Sequence, residues 1–259
     1  GEGVKELIVV AQDPTAYGED WGKPGAVCEL LDKLQTIAGL KWIRVLYAYP
    51  ERISDEFIAA MVRNTKVVPY LDLPIQHCDD AVLKAMNRRG GRKEIEDAIA
   101  RLRAAIPGIT LRTTLIAGFP GETEEQYAEL CDFVKTVKFD RLGCFAYSAE
   151  ENTVAARMDG QLDEETKQRR ADHIMELQAL ISAEKEEEKV GRVLECICDG
   201  VDEESGSYLL RSQADCPEID GNVIVESETP LEPGAFYRVK ITDADTYDLY
   251  GTVEEKVED

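Results

Sequence analysis

The chain has 259 residues, 44% of them hydrophobic, enough apolar material for one large domain and a small one. No apolar run approaches the length of a membrane span, and the opening residues, Gly1-Glu2-Gly3-Val4, do not form a signal peptide; a cytoplasmic protein with no membrane partner is expected. Thirty Lys and Arg against 52 Asp and Glu give a net charge of −22, which repels nucleic acid and attracts cationic partners, or else marks solubility or a salt-loving source.

The pattern begins with a strand over Leu7–Ala11, so close to the first residue that an upstream part is expected to be missing. A helix over Gly25–Gly39 ends on glycine, and Trp42–Tyr47 reads as a strand. Ser54–Asn64 is a helix with Ser54 as N-cap and Asp55 and Glu56 in its first turn. Tyr70–Leu73 is a strand that Pro74 stops, because proline has no N–H to donate to a ladder. A short helix over Asp79–Arg89, capped by Asp79, closes at Gly90, and Lys93–Ile106 is a helix broken by Pro107-Gly108. Leu111–Ala117 is a strand, Thr123–Val137 a helix whose Thr123 and Gln126 form a capping box, and Arg141–Phe145 a strand. Repeated βαβ units of this kind imply a parallel sheet with right-handed crossovers. Residues 1–162 are expected to form this part and 163–190 one long connecting helix. From Gly191 the pattern changes to five short strands separated by turns, Val193–Cys198, Tyr208–Arg211, Asn222–Val225, Phe236–Ile241 and Asp248–Val253. They describe a small antiparallel β-barrel over residues 191–259.

Two strands run directly into polar or glycine-rich loops. One delivers Gln76, His77, Cys78 and Asp79, and the other ends in Gly118-Phe119-Pro120-Gly121-Glu122-Thr123. Ligands of parallel sheets sit at the carboxyl ends of the strands, so both junctions point to one shared site. Seven cysteines, an odd number without regular spacing, read as reduced thiols. Cys196 and Cys198 alternate onto one strand face and read as packing residues.

These segments resemble the radical S-adenosylmethionine methylthiotransferases. The resemblance rests on residues 4–13 followed by Tyr17-Gly18, on Leu73-Pro74-Ile75-Gln76-His77 with Met86-Asn87-Arg88, and on residues 118–123. It rests also on Phe145-Ala146-Tyr147-Ser148 with Thr153 and Ala155. The terminal barrel resembles a TRAM domain. Ala11-Gln12-Asp13, residues 214–221, and Ile241-Thr242-Asp243-Ala244 with Tyr247-Asp248-Leu249 are similar to the RimO-type branch, which modifies a small-subunit ribosomal protein at an aspartate β-carbon. The implied architecture is α/β: an incomplete parallel (β/α) radical-SAM barrel followed by the small barrel. The implied cofactors are S-adenosylmethionine and [4Fe–4S] clusters.

The family's Cys-x-x-x-Cys-x-x-Cys triplet is absent, so no cluster ligand is expected in this chain and it should be inactive as it stands. No catalytic residue is assigned. The resemblance implies that the loop at Gln12 and Asp13 receives the cofactor's methionine part; the alternative is a plain turn. Gln76 and His77 end a strand at the same edge, although a lone histidine is more often a structural hydrogen-bonder. Arg112 would pair with the cofactor's carboxylate if it faces the barrel interior. Thr114, Ile116 and Gly118 share a face on which a flat adenine would lie, unless they are simply core. Tyr147 and Ser148 follow the last strand and would meet the adenine edge.

Charge separates the substrate classes. From Gly191 onward there are 5 Lys and Arg and 18 Asp and Glu. A barrel of that sign repels phosphates and steers a basic ribosomal protein, with Asp215, Glu218 and Asp220 as the expected partner-binding cluster. Two other readings stay open: a transfer-RNA methylthiotransferase, and a fragment that docks a basic partner without catalysis.

Overall fold

The computed structural model describes residues 3–258; Gly1, Glu2 and Asp259 lie outside the described residues. Its first part is a five-stranded parallel sheet in sequential order, β1 (Glu6–Val9), β2 (Trp42–Val45), β3 (Val67–Asp72), β4 (Thr110–Ala117) and β5 (Arg141–Ala146). The crossovers carry α1 (Ala26–Gln35), α2 (Asp55–Arg63), α3 (Asp80–Ala85), α4 (Arg92–Ala105) and α5 (Glu124–Val137). Local chemistry sets the helix starts. Ser54 and Asp79 accept from the backbone N–H of Phe57 and Val82, and Thr123 and Gln126 cap each other's backbone.

Strand β3 starts earlier than the sequence suggests and runs through Pro69. A register shift in its pairing with β2 lets the sheet pass the missing donor. Helix α3 stops at Ala85, short of Gly90, because Asn87 turns into the left-handed region at φ 60°.

One face of the sheet, with Ile43, Val45, Leu71, Leu111 and Leu115, packs on the helices in the main core. The other face carries Trp42, Arg44, Tyr70, Asp72 and Arg112. Helix α6 (Glu164–Glu187) leads from the sheet to a closed barrel of β6 (Val193–Val201), β7 (Tyr208–Ser212), β8 (Val223–Val225), β9 (Phe236–Ala244) and β10 (Leu249–Lys256). The barrel is mixed rather than wholly antiparallel, since β10 and β8 run parallel. Cys196 and Cys198 both point into its core.

The barrel covers the amino-terminal half of the second sheet face. Trp42 meets Phe236 edge-on at 4.8 Å, and Leu46, Val68, Tyr70, Ile197 and Cys216 complete the apolar contact. Around it runs a buried polar belt. Arg44 donates to Glu6 at 2.9 Å and to the Gln213 carbonyl at 2.8 Å, Arg211 pairs with Glu6 at 2.8 Å, and Arg141 donates to Asp215 at 2.6 Å and also to Glu186.

The belt holds two of the three residues expected to bind a partner. Asp215 is only 2% exposed and also accepts from the Ser212 N–H and hydroxyl. Asp220 accepts from the Tyr70 hydroxyl at 2.7 Å and the Cys216 N–H at 2.9 Å, with its side chain buried. Both carboxylates anchor the barrel to the sheet because Arg141, Tyr70 and Arg112 aim donors at them. Of the three, Glu218 alone is exposed.

Candidate functional site at the carboxyl edge of the sheet

Beyond the part covered by the barrel, the same sheet face opens at the strands' carboxyl ends into a cleft of about 520 Å³. Alternation along β4 turns Arg112, Thr114 and Ile116 toward this side, half-buried, while Leu111, Thr113, Leu115 and Ala117 enter the core. Each strand end adds side chains: Gln12 after β1, Tyr47 and Tyr49 after β2, Gln76 after β3, and Phe145, 61% exposed, in β5.

Of the residues expected at the site, Gln12, Gln76, Arg112 and Thr114 therefore border one cleft. Gln76 sits at φ 69° with its N–H donated to the Thr114 carbonyl, and its buried Oε1 has no hydrogen-bond partner. A buried acceptor without a donor costs about 1–3 kcal/mol, so this atom suits a ligand's N–H or O–H. Arg112 is partly committed already: Nη1 donates to Asp72 at 3.2 Å, and Nε lies 3.6 Å from Asp220.

The other expected residues are held elsewhere. Asp13 caps a 3₁₀ turn over Pro14–Ala16 through the Thr15 N–H and pairs with Arg52 at 2.9 Å. His77 is fully buried. Its Nδ1 accepts from the Asp79 N–H at 3.0 Å, which turns Nε2 toward Glu122, 3.4 Å away. Glu122 also accepts from the Gly118 N–H and from Arg170 at 2.7 Å. Burial alone would raise the Glu122 pKa; His77, the Gly118 N–H and Arg170 outweigh it and hold the carboxyl below its usual range.

Gly118, at φ 78°, makes its close approach to a helix: a Cβ there would lie 2.6 Å from Cγ of the buried Lys167 on α6. Tyr147 is buried edge-on to Phe119 at 5.2 Å, with Ile116 packed beside that pair, and Ser148 is exposed. Sequence reasoning missed Tyr47, Tyr49, Phe145 and Arg88 as cleft residues. The alternation of β5 signalled Phe145. The others depend on tight turns at Tyr47 and Asn87, both with positive φ, which pattern alone does not reveal.

The cysteines do not fit a cluster. Cys28, Cys78, Cys131, Cys196, Cys198 and Cys216 are buried and Cys144 is partly so. Burial raises every thiol pKa, to about 12 at Cys78 and Cys144 and about 11 at Cys216, whereas cluster ligands must be thiolates. Among the described residues, no three His, Cys, Asp or Glu side chains are grouped to hold a metal ion. The cleft does fit a polar, partly aromatic molecule.

Comparison with known proteins agrees with this geometry. The model of the Radical SAM superfamily matches residues 1–134, and that of the TRAM domain residues 190–253. Ribosomal protein uS12 methylthiotransferase RimO of Desulfitobacterium hafniense (strain Y51) is 48% identical over 97% of this chain and 56% of its own length. The protein of the same name from Pelotomaculum thermopropionicum is 50% identical over 96% of this chain and 56% of its own. The chain thus spans about half the length of the curated relatives it matches. In fold it is similar to coproporphyrinogen III oxidase (HemN) from Escherichia coli, a radical SAM enzyme, with a TM-score of 0.50 and 14% identity over 83% of this chain and 50% of that one. With its parallel sheet, carboxyl-edge cleft and matched sequence, the chain belongs to the radical SAM superfamily.

Proposed function

We propose that this chain is the catalytic region of a methylthiotransferase that places a methylthio group on an aspartate β-carbon of a small-subunit ribosomal protein in the cytoplasm. The reading divides it into the incomplete barrel (residues 1–162), the connecting helix (163–190) and the TRAM barrel (191–259). The observation that carries the proposal is the cleft, where Gln12, Gln76, Arg112 and Thr114 meet at the strand ends in a chain about half identical to the uS12 methylthiotransferases.

S-adenosylmethionine is the proposed occupant. Its contribution when bound is methyl and radical chemistry; the chain's own residues bind and orient it. The Gln76 Oε1 and the Thr114 hydroxyl offer polar contacts, and Tyr47 and Phe145 offer ring surfaces. Because no residue set among the described residues suits a [4Fe–4S] cluster, we propose that the chain is inactive by itself. The strongly acidic barrel favours a basic protein over transfer RNA as partner, since contact between carboxylates and phosphates is repulsive.

The test joins this chain to the upstream segment of the Desulfitobacterium relative and incubates the chimera, anaerobically reconstituted, with uS12 or with transfer RNA. A mass gain on uS12 equal to a methylthio group replacing one hydrogen is expected. Modification of transfer RNA instead would promote the second reading, and modification of neither would defeat the first.

A further inference from the structure

At the amino end of the sheet, opposite the carboxyl-edge cleft, a cavity of about 620 Å³ lies between the starts of β4 and β5, the ends of α4, α5 and α6, and the residue that enters β6. Its charge runs against that of the chain. Acidic residues outnumber Lys and Arg by 52 to 30 overall. Here six cations, Arg103, Lys138, Arg141, Lys185, Lys189 and Arg192, stand beside three carboxylates, Asp140, Glu186 and Glu188.

The fold explains why cations gather there. Arg103 and Lys185 lie in the last turns of α4 and α6, and Lys138 caps α5, where the negative end of a helix dipole favours positive charge. In a parallel sheet the crossover helices run back along the strands, so their ends meet at the amino edge.

These cations are not all cancelled. Asp140 is taken up by Lys185 at 2.6 Å and by the Leu111 N–H, Glu186 by Arg141 and by Lys189 at 2.8 Å, and Lys138 pairs with Glu184 at 2.6 Å. Arg103 and Arg192 have no carboxylate partner among the described residues. Nη2 of Arg103 donates to the Lys138 carbonyl at 3.0 Å, a neutral group that orients the half-buried fork. The Arg192 guanidinium has neither a hydrogen-bond nor an ion-pair partner among the described residues. The remaining carboxylate, Glu188, is exposed. Deeper in the wall, Arg141 is 6% exposed; both its Nη atoms are in ion pairs, but its buried Nε has no partner. Two unmatched guanidiniums beside an orphaned N–H suit a ligand with negative charge and several acceptor oxygens, as a phosphate group has. A long nucleic acid fits less well, because each further phosphate meets the acidic surface beyond.

We infer that this amino-edge cavity is a binding site for a small phosphate-bearing anion, separate from the carboxyl-edge cleft. It does not rest on the proposed function, and failure of the chimera to transfer a methylthio group would leave it standing.

The experiment titrates the full chain with inorganic phosphate, with pyrophosphate and with a short single-stranded RNA, at constant ionic strength, by amide NMR. Phosphate and pyrophosphate should move the signals of Gly108, Thr110, Lys138, Lys189 and Arg192, with pyrophosphate the tighter. Arg192→Gln and Arg103→Gln should each weaken pyrophosphate binding by about 10- to 100-fold, the range of charge-assisted hydrogen bonds. Arg192 holds no other group in place, so its variant should melt as the wild type does without ligand. Pyrophosphate should raise the melting temperature of the wild type and not of the double variant. Lys93→Gln, 81% exposed at the other end of α4, should change little and controls for net charge.

Shifts centred outside the cavity, an unchanged affinity in either arginine variant, or an equal loss in Lys93→Gln would overturn the inference. So would RNA that binds there more tightly than pyrophosphate, which would give the cavity to a nucleic acid.

Discussion

Asp215→Asn tests whether the acidic loop of the small barrel is an internal anchor. The wild-type carboxylate accepts from Arg141 Nη2 at 2.6 Å, the Ser212 N–H at 3.1 Å and the Ser212 hydroxyl at 2.6 Å, all buried. The amide keeps the size but removes the charge, and it sets an NH₂ group against a donor on one side. Removing one member of a buried ion pair costs about 3–5 kcal/mol, and Glu186 is then the one carboxylate left on Arg141. With a urea slope near 2 kcal/mol per M, the unfolding midpoint should fall by roughly 2 M. Burial alone would raise the Asp215 pKa; the charges of Arg141 and Lys189 and the Ser212 hydrogen bond outweigh it and hold it below the ordinary 3.8. A depressed folded pKa means that this stability is present above about pH 4 and fades as the pH falls through the folded value. The gap between wild type and variant should therefore be full at pH 7 and narrow in acid. A loss below about 1 kcal/mol at pH 7, or a gap independent of pH, would refute the reasoning; exposed Glu218→Gln should stay within about 0.5 kcal/mol in the same assay.

Gly118→Ala should cost about 1–3 kcal/mol, because its Cβ would press on Lys167 and φ is 78°; thermal melts check this, and Lys167→Ala should relieve only the contact with Cγ, since Lys167 Cβ and Cα would still lie 2.9 and 3.0 Å away. Trp42→Ala should cost about 3–5 kcal/mol and loosen the barrel from the sheet, seen as faster proteolysis near residues 188–192. A thiol reagent at pH 8 should label the folded chain slowly, Cys144 first, and all seven cysteines after unfolding; rapid labelling of Cys196 or Cys198 in the native state would contradict their place in the barrel core.

The sequence carried the architecture well for physical reasons. Periodicity, the caps at Ser54, Asp79 and Thr123, and the breaks at Pro107-Gly108 and Gly191 are local signals, and each element formed within a few residues of its expected place. The parallel closure of β10 on β8 was not legible, because pairing direction is decided across the barrel. Alternation along β4 fixed the face of Thr114, whereas Gln76 follows Pro74 outside the strand at a positive φ. The surroundings of Asp215 and Asp220 were not legible, because a cluster of carboxylates in a turn looks solvated until the opposing Arg141, Arg112 and Tyr70 are placed. His77 and Gly118 followed the same rule: their partners, Glu122 and Lys167, are distant in sequence, and both serve the loop after β4.

The central claim is that the carboxyl-edge cleft receives S-adenosylmethionine. Its most direct test is an amide and methyl NMR titration of the isotope-labelled chain with that compound. The account predicts shifts confined to Gln12, Tyr47, Gln76, Arg88, Thr114 and Phe145, saturating at weak affinity. Shifts centred elsewhere, or no shifts at millimolar ligand, would contradict it.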